Sequence, residues 1–103
     1  MKNEPIGCVK AATRILGDKW TPQLLRFFIN EEAVRFCQIQ DLVEGINPRT
    51  LSARLDALEQ QGIIEKNMTN EKNRCEYRLT QKGVELAPIL RDMQAWSDRY
   101  AVS

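Results

Sequence analysis

The pair Asn47-Pro48 constrains this chain more than any other stretch, because a cap residue is followed by proline at a first helical position, where its missing amide proton costs nothing. The helix it opens carries Leu51, Leu55 and Leu58 as a buried stripe and closes at Gln61-Gly62. Just upstream, Phe36, Ile39, Leu42 and Val43 recur on one side of a helix of about two turns, and Gly45 follows closely. Two helices joined by a tight glycine turn are therefore expected. After Gly62 the period changes. Segments 63–67 and 75–79 are β-branched, aromatic or alternating, with polar residues 68–74 between them, which predicts a β-hairpin. In its second strand Cys75, Tyr77 and Leu79 are expected to face inward, and Glu76 and Arg78 to face water.

The flanks read as helices. Val9, Ala12, Ile15 and Leu16 keep helical spacing until Gly17, predicting a first helix over 8–16. Thr21 is expected to cap a second helix with Pro22 at its first position, Trp20 stapling onto Leu25, and Leu24, Leu25, Phe28 and Ile29 forming the apolar face. Asn30-Glu31-Glu32 then reads as a loop. At the other end Thr80 is expected to cap one long helix whose apolar side is Leu86, Leu90, Met93, Trp96 and Tyr100, with Pro88 a point of bending. With 103 residues, no internal repeat and no low-complexity stretch, the chain is expected to be a single domain over 1–103, mainly α with a small β-hairpin.

Composition narrows the chemistry. Lys and Arg total 15 against 14 for Asp and Glu, so the net charge of +1 attracts no polyanion by itself and any such partner must be met by a local patch. There is no histidine, which removes the commonest general base, the usual triads and most zinc sites; neither a catalytic residue, a metal site nor a cofactor is implied. A small thiol enzyme would need a base near Cys8 and finds none. Cys8, Cys37 and Cys75 are widely spaced and odd in number, as suits free thiols in a reducing compartment. No apolar run approaches the roughly 18 residues of a membrane span, and an acid and a proline stand where a secretory signal would be apolar, so the cytoplasm is expected, with no membrane partner.

Two helices with a tight turn followed at once by a hairpin describe a winged helix-turn-helix, whose second helix is the candidate reader of double-stranded DNA. At about 100° per residue, with the leucines inward, Arg49, Ser52, Ala53 and Asp56 point away and Thr50 lies at the flank. Arg49 suits a guanine edge or a phosphate, Thr50 and Ser52 suit phosphates, and Ala53 lets the backbone approach or meets a thymine methyl. Asp56 would be unwelcome near phosphate, which concentrates contact in the first two turns. Arg54 lies nearer the core and is expected to brace the helix. The hairpin tip adds Lys66, Lys72 and Arg74 with three asparagines against one acid, Glu71. The alternatives are a solvated turn for the hairpin, and a winged-helix protein-interaction module for the whole.

Ile15-Leu16-Gly17-Asp18-Lys19-Trp20-Thr21, Arg35-Phe36, the run from Asn47 to Leu55, and Tyr77-Arg78-Leu79-Thr80-Gln81-Lys82-Gly83 together resemble the HxlR family of bacterial winged-helix transcription regulators, from Cys8 to Tyr100. The resemblance implies a homodimer built through the first and last helices, a recognition helix in the major groove and a wing beside it. Two such helices about 34 Å apart would meet successive turns of a near-palindromic operator, so that modest patches act twice. One departure is Gly17-Asp18 in place of a frequent Gly-Gly, expected to bear on loop shape rather than on the DNA surface. Cys8 matches in position the N-terminal cysteine with which redox- and electrophile-sensing members are switched. A helix start with Lys10 and Arg14 nearby suits a thiolate, making Cys8 the candidate sensor of an effector whose identity is open. Cys37, off the apolar face of its helix, is a weaker candidate for a second thiol, and Cys75 reads as strand core.

Overall fold

The computed structural model describes residues 5–31, 33–68 and 75–101. Its elements are α1 (Lys10–Leu16), α2 (Thr21–Asn30), β1 (Val34–Arg35), α3 (Phe36–Leu42), α4 (Pro48–Gln60), β2 (Ile64–Met68), β3 (Cys75–Leu79), α5 (Gln81–Val84) and α6 (Ala87–Tyr100). The core is assembled from Leu24, Leu25 and Phe28 of α2, Ile39, Val43 and Ile46 around the α3–α4 turn, the three leucines of α4, Ile63 and Ile64, Val34, Tyr77, and Leu86 and Leu90 at the base of α6. Among the positions expected to face inward on α3, Leu42 is the exception, 54% exposed. Three steps place it only about 60° from the buried Ile39, so it lies at the edge of that side, and its exposure does not follow from helical spacing.

The hairpin becomes a three-stranded antiparallel sheet in the order β1-β3-β2. β2 pairs with β3 from Ile64 opposite Leu79 to Met68 opposite Cys75, and β1 adds Val34 opposite Tyr77 and Arg35 opposite Glu76. A two-residue strand carries no periodicity, which is why the chain after Asn30 reads only as loop. Its presence makes β3 the central strand and changes the expected alternation. Tyr77 is buried as expected, but Glu76 and Arg78 are half-buried rather than in water. Arg35 Nε lies 3.8 Å from a Glu76 carboxylate oxygen, and Arg78 Nε is enclosed with no hydrogen-bond partner among the described residues. Cys75 is half-buried at the outer end of the hairpin, its Sγ 3.1 Å from Met68 Sδ, and not in the core.

Two helix ends also differ from expectation. α2 starts at Thr21 with Trp20 at the cap position, and the capping side chain is Asp18: its Oδ1 accepts the amide protons of Trp20 and Thr21, both at 2.8 Å. A carboxylate satisfies two orphan amides and complements the positive end of the helix dipole, which a threonine hydroxyl does less well. Trp20 thus occupies the cap instead of preceding it, and its ring reaches towards Gly45. The single long terminal helix is two: Thr80 caps only α5, accepting from the Gly83 amide at 3.2 Å, and the chain breaks at Glu85-Leu86 before α6. Pro88, at the second position of α6, begins that helix where an amide proton is not needed, and does not bend a longer one.

Candidate nucleic-acid interface

α4 is fixed at both ends. Asn47 Oδ1 accepts the Thr50 amide at 2.8 Å, and Pro48 follows at the first helical position. At the other end Ile63 N–H donates to Leu58 C=O at 2.9 Å and Gly62 N–H to Glu59 C=O at 3.0 Å, with Gly62 at φ +76°. These two bonds form the Schellman motif, whose left-handed residue favours glycine. Gly45, at φ +87°, makes the turn that delivers the chain from α3 into Ile46 and the cap. With Leu51, Leu55 and Leu58 buried, Arg49, Ser52, Ala53 and Asp56 are exposed, and Thr50 and Arg54 are half-buried on one flank. The first two turns of α4 therefore present one cation, small side chains and hydroxyls.

Arg54 is held from outside its own helix. Asp18, besides capping α2, accepts from the Thr21 hydroxyl at 2.6 Å and from Arg54 Nη1 at 3.3 Å through its other oxygen. Partial burial works to raise its carboxyl pKa, but the bonds from Thr21 and Trp20 and the Arg54 charge outweigh this and hold it below the ordinary value. Arg54 braces α4 as expected. The Gly17-Asp18 departure, however, reaches the helix proposed to read DNA and is not confined to loop shape. Sequence reasoning did not find this pairing; the available signal was an acid just upstream of a proline-marked helix start.

The wing is tied to the end of α4 by 79–83. The Thr80 hydroxyl is directed at the carbonyl oxygens of Gly62 and Ile63, Lys82 Nζ donates to Gln61 C=O at 2.8 Å, and Gly83 packs so closely that a Cβ there would lie 2.2 Å from Ile63 O. From this base β2 projects with Glu65, Lys66, Asn67 and Met68 exposed. Lys66 stands opposite Tyr77. Burial raises the Tyr77 hydroxyl pKa, Lys66 opposes that rise, and Cys75, Asp56 and Glu59 add to it. Lys72 and Arg74 lie outside the described residues.

Cys8 is exposed and two residues ahead of α1, where its Sγ accepts the Lys10 amide proton at 3.4 Å. Cys37 is exposed on α3. Among the described residues no group of three or more potential ligands is placed to hold a metal ion, and no helix is long and apolar enough to cross a membrane.

α6 divides in two. Leu86 and Leu90 close the core, whereas every residue from Arg91 to Tyr100 is exposed, including Met93 at 42%, Trp96 at 66% and Tyr100 at 57%. An open groove of about 540 Å³ runs between α2 and α6, lined by Ile29, Leu90 and Met93 among polar neighbours. Ile6 and Val9, flanking Cys8, are exposed as well.

A capped helix presented by a tight turn, backed by leucines and followed by a clamped sheet, is the architecture of a winged helix-turn-helix regulator of transcription. The chain belongs to the HxlR-like helix-turn-helix family, whose model matches residues 15–103. Among relatives, it is 34% identical over 90 residues to the Bacillus subtilis HTH-type regulator YvaP, spanning 86% of this chain and 82% of that one. It is 30% identical over 93 residues to B. subtilis YodB, spanning 89% and 82%. Among solved structures, the oxidized form of the redox regulator HypR superposes with a TM-score of 0.86 at 27% identity over 92% of this chain and 98% of that one. Reduced YodB superposes at 0.79 and 30% over 93% and 96%, and YodB has also been solved quinone-bound and diamide-treated.

Proposed function

We propose that this chain acts in the cytoplasm as a homodimer that binds a near-palindromic operator and is switched by oxidation or alkylation of Cys8. The observation that carries the reading is the outer face of α4, where Arg49, Ser52 and Ala53 are exposed on a helix fixed at both ends. Arg49 reads a base edge or a phosphate, Thr50 and Ser52 donate to phosphates, and Ala53 allows close approach. Lys66, with Lys72 and Arg74, supplies the wing's contacts to the backbone. A second copy accounts for the unpartnered apolar residues Met93, Trp96 and Tyr100 and offsets a net charge of only +1 by presenting each patch twice.

Support for the switch comes from the exposed thiol and from the relatives: HypR is a redox regulator, and YodB has been solved with quinone and after diamide treatment. Cys8 lies two residues before α1, which holds the core only through the partly buried Ile15 and Leu16 at its far end, so that a change at Cys8 can reach the proposed dimer contact. The test is to sequence genomic fragments retained by the purified protein, with and without diamide or a quinone, and to repeat it with Cys8→Ser. The expected result is a discrete set of retained sites whose occupancy changes with oxidant in the wild type and not in the variant. An equal response from Cys8→Ser removes the sensor role. No retained sites in either state removes the DNA reading.

A further inference from the structure

Asp18 has every acceptor position in use, and it divides them between two elements. Oδ1 takes the amides of Trp20 and Thr21, and Oδ2 takes the Thr21 hydroxyl and Arg54 Nη1. The first three bonds fix the carboxylate rigidly on the start of α2. The fourth reaches 36 residues along the chain to the flank of α4. Arg54 stands one helical turn beyond Thr50 on that flank, so its side chain is adjacent to the face proposed to meet the duplex. A guanidinium has five donors in a planar fork suited to phosphate, and a flexible stem that can redirect it. Among the described residues Asp18 is its one hydrogen-bonding and ion-pairing partner.

We propose that Asp18 is a specificity-determining positioning residue: by holding Arg54 against α2, it keeps that cation off the DNA backbone and leaves recognition to Arg49 and its small neighbours. This rests on the reading above that α4 meets DNA. Phosphate contacts carry no direct sequence information, so a released Arg54 raises binding to every duplex and narrows the difference between operator and random sequence. The ion pair also fixes the rotation of α4 relative to α2, and hence where Arg49 points.

The test measures the salt dependence of binding to a random-sequence duplex by the wild type, Asp18→Asn, Arg54→Met and the double variant. An asparagine retains the Oδ1 acceptor that caps α2 but loses the anionic oxygen that holds Arg54. The plot of log affinity against log salt is expected to steepen by about 0.9 per protomer in Asp18→Asn, the signature of one added phosphate contact. It is expected to be unchanged in Arg54→Met and to return to the wild-type slope in the double variant. A purely structural role for Asp18 would lower stability without steepening the slope. The proposal is overturned if Asp18→Asn leaves the slope unchanged, if the double variant keeps the steeper slope, or if Arg54→Met alone is shallower than wild type, which would mean that Arg54 already touches DNA. Should Asp18→Asn fail to fold, the Arg54→Met slope keeps the proposal falsifiable: an unchanged slope supports a cation held off the DNA, and a shallower one overturns it. A wild type that binds no duplex at any salt concentration instead sinks the DNA reading on which the proposal stands.

Discussion

Lys82 donates from its ammonium group to the carbonyl oxygen of Gln61, 2.8 Å away, and so places a cation on the C-terminal end of α4. The helix dipole is negative there, and the last carbonyls have no partner within the helix. Thr80 reaches the next two carbonyls, of Gly62 and Ile63, with its hydroxyl. The Leu-Thr-x-Lys-Gly run is therefore a clamp: it joins the end of the candidate reading helix to the base of the wing, so that the two move together.

Gly83 is the tightest point of that clamp. A methyl group there would meet Ile63 O at 2.2 Å and Leu79 Cδ2 at 2.8 Å, and the first of these is backbone that cannot swing aside. Gly83→Ala is expected to lower unfolding stability by about 1–3 kcal/mol through overpacking, despite the better helix propensity of alanine. Urea unfolding midpoints check this. An unchanged midpoint would show that the wing base yields without cost.

What was legible in the chain was what repeats. The stripe of Leu51, Leu55 and Leu58 extends over enough residues to show a period, the Asn47-Pro48 start is a strong local signal, and both are found where expected, whereas of the alternation in β3 only Tyr77 is buried as expected. Single contacts and very short elements were not legible. β1 is two residues long, and the Asp18–Arg54 pair joins positions 36 apart. The cap of α2 reads as Thr21 because it directly precedes Pro22, and only geometry shows that the Asp18 carboxylate takes the amides. The break before α6 is hidden because the apolar spacing begins only at Leu86, the cap of α6, and leaves residues 81–85 without a period of their own. For the candidate interface the same division holds: the exposed side of α4 follows from helical rotation, whereas the grip on Arg54 depends on how elements pack.

Asp18 makes stability depend on pH. Its pKa is lowered from the ordinary 3.8 in the folded chain, so the folded state binds this proton less readily than the unfolded state. The contribution is then fully present above the unfolded value and is lost as pH falls through the folded one. The stability difference between wild type and Asp18→Asn is expected to be constant near neutrality and to shrink below about pH 4. Urea titrations at several pH values measure it. A difference that grows on acidification would contradict the assignment.

Arg49 and Lys66 are proposed to contribute in different ways, and their alanine variants separate them. Arg49→Ala is expected to cost about 1–3 kcal/mol of operator affinity and to relax sequence preference at one base pair of each half-site. Lys66→Ala is expected to weaken operator and random duplex alike and to reduce the salt slope by about one per protomer. Binding isotherms over a salt series with both duplexes read the two effects. If Arg49→Ala leaves sequence preference intact, the base-reading residue lies elsewhere on α4.

Trp96 tests the proposed dimer without touching the protomer's core. It is 66% exposed, its ring centroid is 5.0 Å from that of Tyr100, and both lie on the half of α6 beyond Leu90, which contributes no buried residue. Aromatic side chains grouped in this way are the usual energetic centre of an interface, where truncation costs about 2 kcal/mol or more. Trp96→Asp adds a charge that must be desolvated on association, and is expected to weaken dimerisation by at least about 30-fold by the same measure, while the urea midpoint extrapolated to low protein concentration stays near wild type. Sedimentation equilibrium across micromolar concentrations gives the first quantity. Because two half-sites must be held at a fixed separation, operator affinity is expected to fall with dimerisation while the salt slope per protomer on random duplex is retained. A variant that still dimerises as the wild type does would place the contact away from this end of α6.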